Sequence, residues 1–83
     1  MLNMLAAARV ASRWLQMDPD EAQARARAIA DADLAYVCDD HGWGVLIGTD
    51  LRPLLTEPGV PLESAVADFR AGWRTDYVGP RAA

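Results

Sequence analysis

The sequence predicts an α+β domain of α-α-β-β-α order, with helices packed on an antiparallel β-hairpin. Three observations predict it. Apolar residues recur at helical spacing over residues 2–16 and 61–74. Two short runs rich in β-branched and aromatic residues, 34–38 and 43–49, flank Asp40-His41-Gly42. Between the first helix and those runs stands Asp18-Pro19-Asp20-Glu21, a helix-start signature. A chain of 83 residues, 52% apolar and 24% charged, has the composition of one globular domain with a small core.

The first helix, residues 2–16, places Met4, Ala7, Ala8, Val10, Ala11, Trp14 and Leu15 on one side. Arg9, Ser12, Arg13 and Gln16 fall on the other, together with Leu2 and Leu5. The second helix starts at Asp18. Its carboxylate suits the free backbone N–H groups, Pro19 suits the first helical position, and Glu21 is placed to close a capping box. The pattern then runs to residue 31 or 32. Glu21/Arg25 and Arg27/Asp31 stand as i,i+4 pairs, and Ala22, Ala26, Ile29 and Ala32 form a thin buried stripe.

Residues 40–42 suit a type I turn with a left-handed glycine at Gly42. That turn pairs Val37 with Val45, Ala35 with Ile47 and Tyr36 with Leu46. Ala35, Val37, Trp43, Val45 and Ile47 then share one face; Leu34, Tyr36, Cys38 and Leu46 share the other. Both faces are apolar, and a lone hairpin is marginal in water. Its sheet is therefore expected to be extended by oligomerisation, with a dimer as the simplest form, or by a C-terminal strand at Asp76, Tyr77 and Val78. Leu51 to Leu55 read as a short turn of helix. The last helix, residues 61–74, carries Leu62, Val66, Phe69 and Trp73 on one stripe. Residues 79–83 read as a frayed tail of the single domain 1–83.

The charge is uneven. Eight Arg and no Lys oppose twelve acids, giving −4, and residues 33–83 carry the whole excess. This argues against nucleic acid and anionic membranes as partners and favours a basic protein. No apolar stretch is long enough to span a bilayer. The first residues lack a secretory leader, so the expected compartment is the cytoplasm, with Cys38 a reduced thiol. Abundant Arg and Ala without Lys fit a GC-rich bacterial or phage genome.

Asp39, Asp40 and His41 are the only cluster of acid and imidazole. Carboxylates and imidazole bind divalent ions and move protons, but three consecutive residues at a strand end point different ways, and an Asp there caps its own turn. Turn chemistry is the preferred reading, and no metal or catalytic residue is assigned. Cys38 lacks the base a nucleophile needs and reads as a small hydrophobe. The glycines at 42, 44 and 48 are not followed by Lys-Ser/Thr and make no phosphate loop. Trp43, between Gly42 and Gly44, stands equally for core and for contact.

These residues imply a non-enzymatic interaction module, acting as a homo-oligomer and needing no cofactor. The expected contact surface is Trp43, Tyr36, Val45 and Ile47 of the hairpin, flanked by Asp39, Asp40 and Asp50. Blocking a basic site on a larger protein, as an inhibitor, antitoxin or accessory subunit does, fits that surface. The alternative is a cationic small molecule held at a subunit junction by Trp43, Tyr36 and Leu46.

Overall fold

A computed structural model describes residues 2–31 and 33–75. The order is α1 (Met4–Leu15), α2 (Pro19–Arg25), β1 (Arg27–Ile29), β2 (Leu34–Cys38), β3 (Gly44–Ile47), β4 (Leu54–Thr56) and α3 (Leu62–Arg70). The α+β class is as expected. The four strands form one antiparallel meander in the order β1-β2-β3-β4.

The central hairpin has the register its turn imposes: Ala35 faces Ile47, Tyr36 faces Leu46 and Val37 faces Val45. Alternation along the strands sorts the core into two clusters. One holds Ala35, Val37, Val45 and Ile47 under Ala7, Ala8 and Ala11 of α1 and Ala22 of α2. The other holds Leu34 and Leu46 against Ala65 and Phe69 of α3. The sheet is thus covered on both faces. The alanines matter here because methyl side chains let α1 and α2 approach the sheet closely. Full burial of Val37, Val45, Leu46 and Ile47 contributes about 1.5–3 kcal/mol each.

Four expectations are corrected. The second helix stops at Arg25 rather than near residue 31, and residues 27–29 become β1. Ala22, Ala26 and Ile29 stand at helical spacing in the sequence, but the open edge of β2 offers ladder hydrogen bonds that outweigh helix propensity. Residues 54–56 are a strand rather than helix, because β3 needs a second neighbour and Pro53 suits a strand start. The sheet is therefore extended by β1 and β4 of the same chain. The strand expected at 76–78 and the frayed tail at 79–83 lie outside the described residues. Third, Val45 and Ile47 are interior and fully buried; they form no outer surface. The ribbon is enclosed on both faces and flanked on both edges by its own chain.

The fourth correction concerns α3, which ends at Arg70, not at 74. Gly72 takes φ +100°. The Trp73 N–H donates to the Asp68 carbonyl at 3.1 Å and the Gly72 N–H to the Phe69 carbonyl at 3.0 Å. This is the Schellman pair of bonds, which satisfies the last carbonyls of a helix and turns the chain away. Trp73 thereby leaves the core stripe and is 66% exposed.

Caps fix the other helix ends. Asn3 Oδ1 accepts the Ala6 N–H at 3.1 Å, and Asp18 Oδ1 accepts the Asp20 N–H at 2.8 Å. Glu21 closes no capping box; it pairs with Arg25 at 2.9 Å instead. Ser12, on the expected polar side of α1, is buried and donates its hydroxyl to the Arg9 carbonyl at 2.7 Å.

Candidate interaction surface

The hairpin turn was the expected site, and its acids are already engaged. Asp39 Oδ1 accepts the N–H groups of His41 at 2.8 Å and Trp43 at 3.0 Å, an Asx arrangement that builds the turn. Gly42 completes it at φ +92°, a conformation that favours glycine, and a β-carbon there would press on Pro58 Cβ at 3.0 Å. Asp40 turns away from Asp39 toward α2, where Arg25 donates to it at 2.8 Å. The same guanidinium donates to Glu21 at 2.9 Å and to the Cys38 carbonyl at 3.3 Å. Arg25 thus fastens the turn to α2. Its pKa is raised, first by the hydrogen bond to Asp40, against an opposing desolvation effect, with Coulombic attraction and the Glu21 contact adding to the rise. A raised cation contributes its full stabilisation below the unfolded-state pKa and loses it only as pH climbs through the folded one, so this clamp is constant across neutral pH.

The candidate metal or acid–base cluster therefore does not converge: Asp39 faces backbone N–H groups, Asp40 faces Arg25, and His41 is exposed. Among the described residues no three His, Cys, Asp or Glu side chains gather around one point. Tyr36 is half-buried, lying over Gly44 with Arg27 5.6 Å from its ring centre. A β-carbon on Gly44 would lie 2.7 Å from both Tyr36 and Thr56, so this glycine is what lets the ring cross β3. Trp43 is half-buried, with its carbonyl accepting the Asp39 N–H at 2.9 Å.

Asp50 belongs to a different cluster. Its Oδ1 accepts the Arg52 N–H at 3.0 Å, and its Oδ2 pairs with Arg74 at 3.3 Å. The Arg74 guanidinium lies 3.5 Å from the Phe69 ring centre and donates to the carbonyls of Phe69 at 2.9 Å and Trp73 at 2.8 Å. It is a clasp that holds the segment after α3 against the helix and the β3–β4 loop. Thr75 then meets β4: its N–H donates to the Pro53 carbonyl at 2.8 Å and its Oγ1 accepts the Leu55 N–H at 2.9 Å.

Between β4 and α3 lies a cleft of about 210 Å³. Leu54, Leu55, Thr56, Val60 and Ala65 line it with a mixed polar and apolar surface, and Glu57 and Asp68 bring carboxylates to it. Val60 is 44% exposed. Neither the cleft nor Trp73 was found by sequence patterning. The available signal was Gly72, two residues past Arg70 and one before Trp73, at the position where helices commonly end.

No protein-family model matches this chain, and comparisons with curated proteins and with solved structures find no similar protein. Among the described residues no helix is long and apolar enough to cross a membrane.

Proposed function

We propose that the chain is a non-enzymatic interaction module for a basic partner protein, and that its contact surface lies where α3 ends rather than at the hairpin. The observation that supports this reading is Trp73. A tryptophan in water forgoes the burial that a domain interior provides, and here it is held there by the backbone on both sides. The Schellman turn fixes the segment before it, and Arg74, itself only 13% exposed in its side chain, holds the Trp73 carbonyl. An aromatic group presented by rigid backbone loses little entropy on binding, which is the property of an interface anchor. The hairpin acids Asp39 and Asp40, and Asp50 of the β3–β4 loop, have their charge or lone pairs engaged within the chain. Occluding a basic surface of a larger protein, as an inhibitor or accessory subunit does, fits an acidic domain with such an anchor.

The test is affinity selection from a random displayed-peptide library on the immobilised full chain, with Trp73→Ala as the counter-target. The position is exposed, so the variant folds. Enrichment of peptides that bind the parent chain and not the variant supports the reading. No enrichment, or equal binding to both chains, contradicts it.

A further inference from the structure

We infer that the β4–α3 cleft is a socket for one aliphatic side chain of an extended partner segment, with arginines beside it in that segment. The inference rests on the interaction-module reading and names the partner's chemistry.

Size comes first. About 210 Å³ is below the usual range of roughly 300–1,000 Å³ for small-molecule sites, and suits a single Leu or Ile side chain. The lining fits that guest. Leu54, on the α3 side of the sheet, supplies apolar contact with Val60 and Ala65, Thr56 adds a polar edge, and Val60 stands half in water until something covers it.

Charge comes second. Glu21, Asp40 and Asp50 are each paired with an arginine of the chain. Glu57 and Asp68, the two carboxylates of the cleft, make no ion pair among the described residues. A cationic neighbour of the guest side chain meets them there. A second copy of this chain is the poorer occupant, because each copy carries −4 and brings like charge to the cleft.

Third, the backbone after α3 is tied to the walls of the same cleft. The segment 73–75 is tied at one end to Asp68 and at the other to Leu55, and both residues line the cavity. One aliphatic anchor and two carboxylates describe an Arg-Leu-Arg pattern.

The probe is the capped pentapeptide acetyl-Thr-Arg-Leu-Arg-Thr-amide, titrated into the ¹⁵N-labelled full chain by NMR. Saturable shifts at the amides of Leu55, Glu57, Ala65 and Asp68 are expected. Glu57→Gln with Asp68→Asn is expected to weaken binding roughly tenfold, two partly exposed charge pairs being removed. Val60→Arg, at an exposed site, is expected to abolish it. Replacing the probe's Leu by Ala, or both its Arg by Glu, is expected to do the same. Shifts confined to residues 38–43 overturn the socket while leaving the interaction module standing on its peptide selection. Undiminished binding to the Glu57/Asp68 double variant, or no saturable shift with this probe, also overturns the socket. Equal saturation by n-butylammonium makes the cleft a small-amine pocket and overturns a polypeptide occupant.

Discussion

Gly72→Ala separates two accounts of the last helix by the sign of its effect. Were the helix continuous through residue 74, as the Leu62–Val66–Phe69–Trp73 stripe implies, alanine would replace glycine in a helix interior and stabilise it by about 0.8–1.0 kcal/mol. In the structure Gly72 has φ +100° and closes a Schellman turn. A β-carbon built there meets nothing within 4 Å, so packing adds nothing and the cost is purely conformational. Holding an L-residue at positive φ costs about 1–3 kcal/mol. The reduced freedom of the unfolded chain returns about 0.4–1 kcal/mol, leaving a net loss of about 1 kcal/mol. For a domain of this size that lowers Tm by roughly 4–8 °C. Urea unfolding followed by circular dichroism measures it, with an unchanged m-value expected because the buried surface is the same. A D-alanine at position 72, introduced by chemical synthesis, favours positive φ and is expected to raise Tm instead. A rise in Tm for Gly72→Ala refutes the turn and returns Trp73 to a helical stripe.

Three further outcomes follow from single residues. Gln16 ends α1 at φ +54°, a left-handed position where glycine has no strain; Gln16→Gly is expected to stabilise by about 0.5 kcal/mol, and a lower Tm contradicts the cap. Leu46→Ala removes a fully buried side chain from a central strand and is expected to cost about 3 kcal/mol, within the general range for such truncations; a loss below about 1 kcal/mol in urea means that the site is not core. Arg25→Gln frees Asp40 and the Cys38 carbonyl from α2 and is expected to speed amide exchange across residues 39–43; unchanged exchange there means that Asp39 alone holds the turn.

The hairpin was legible because its evidence is local. Asp39 and Gly42 dictate the turn, the turn dictates the register, and strict alternation sends Val37, Val45 and Ile47 to one face and Leu46 to the other. β1 and β4 were not legible, because three-residue strands such as Arg27–Ile29 and Leu54–Thr56 have little pattern of their own and exist through the neighbour they pair with. That omission propagated: two strands seen alone look exposed, which made self-association the expected remedy. The candidate site was misplaced for a related reason. A run of acids such as Asp39, Asp40 and Asp50 reads as free charge until the fold brings Arg25 and Arg74 to it from 15 and 24 residues away. Trp73 lay on a good helical stripe, and a single glycine outweighed four apolar residues.

The β2–β3 ribbon is enclosed by its own chain, with helices on both faces and β1 and β4 at its edges. Native-state hydrogen exchange of the Val45, Leu46 and Ile47 amides, followed over a dilution series, tests this directly. These amides are expected to be among the slowest in the protein, with protection that does not change with protein concentration. Protection that falls on dilution would mean that a second subunit shelters the ribbon, and would contradict the account.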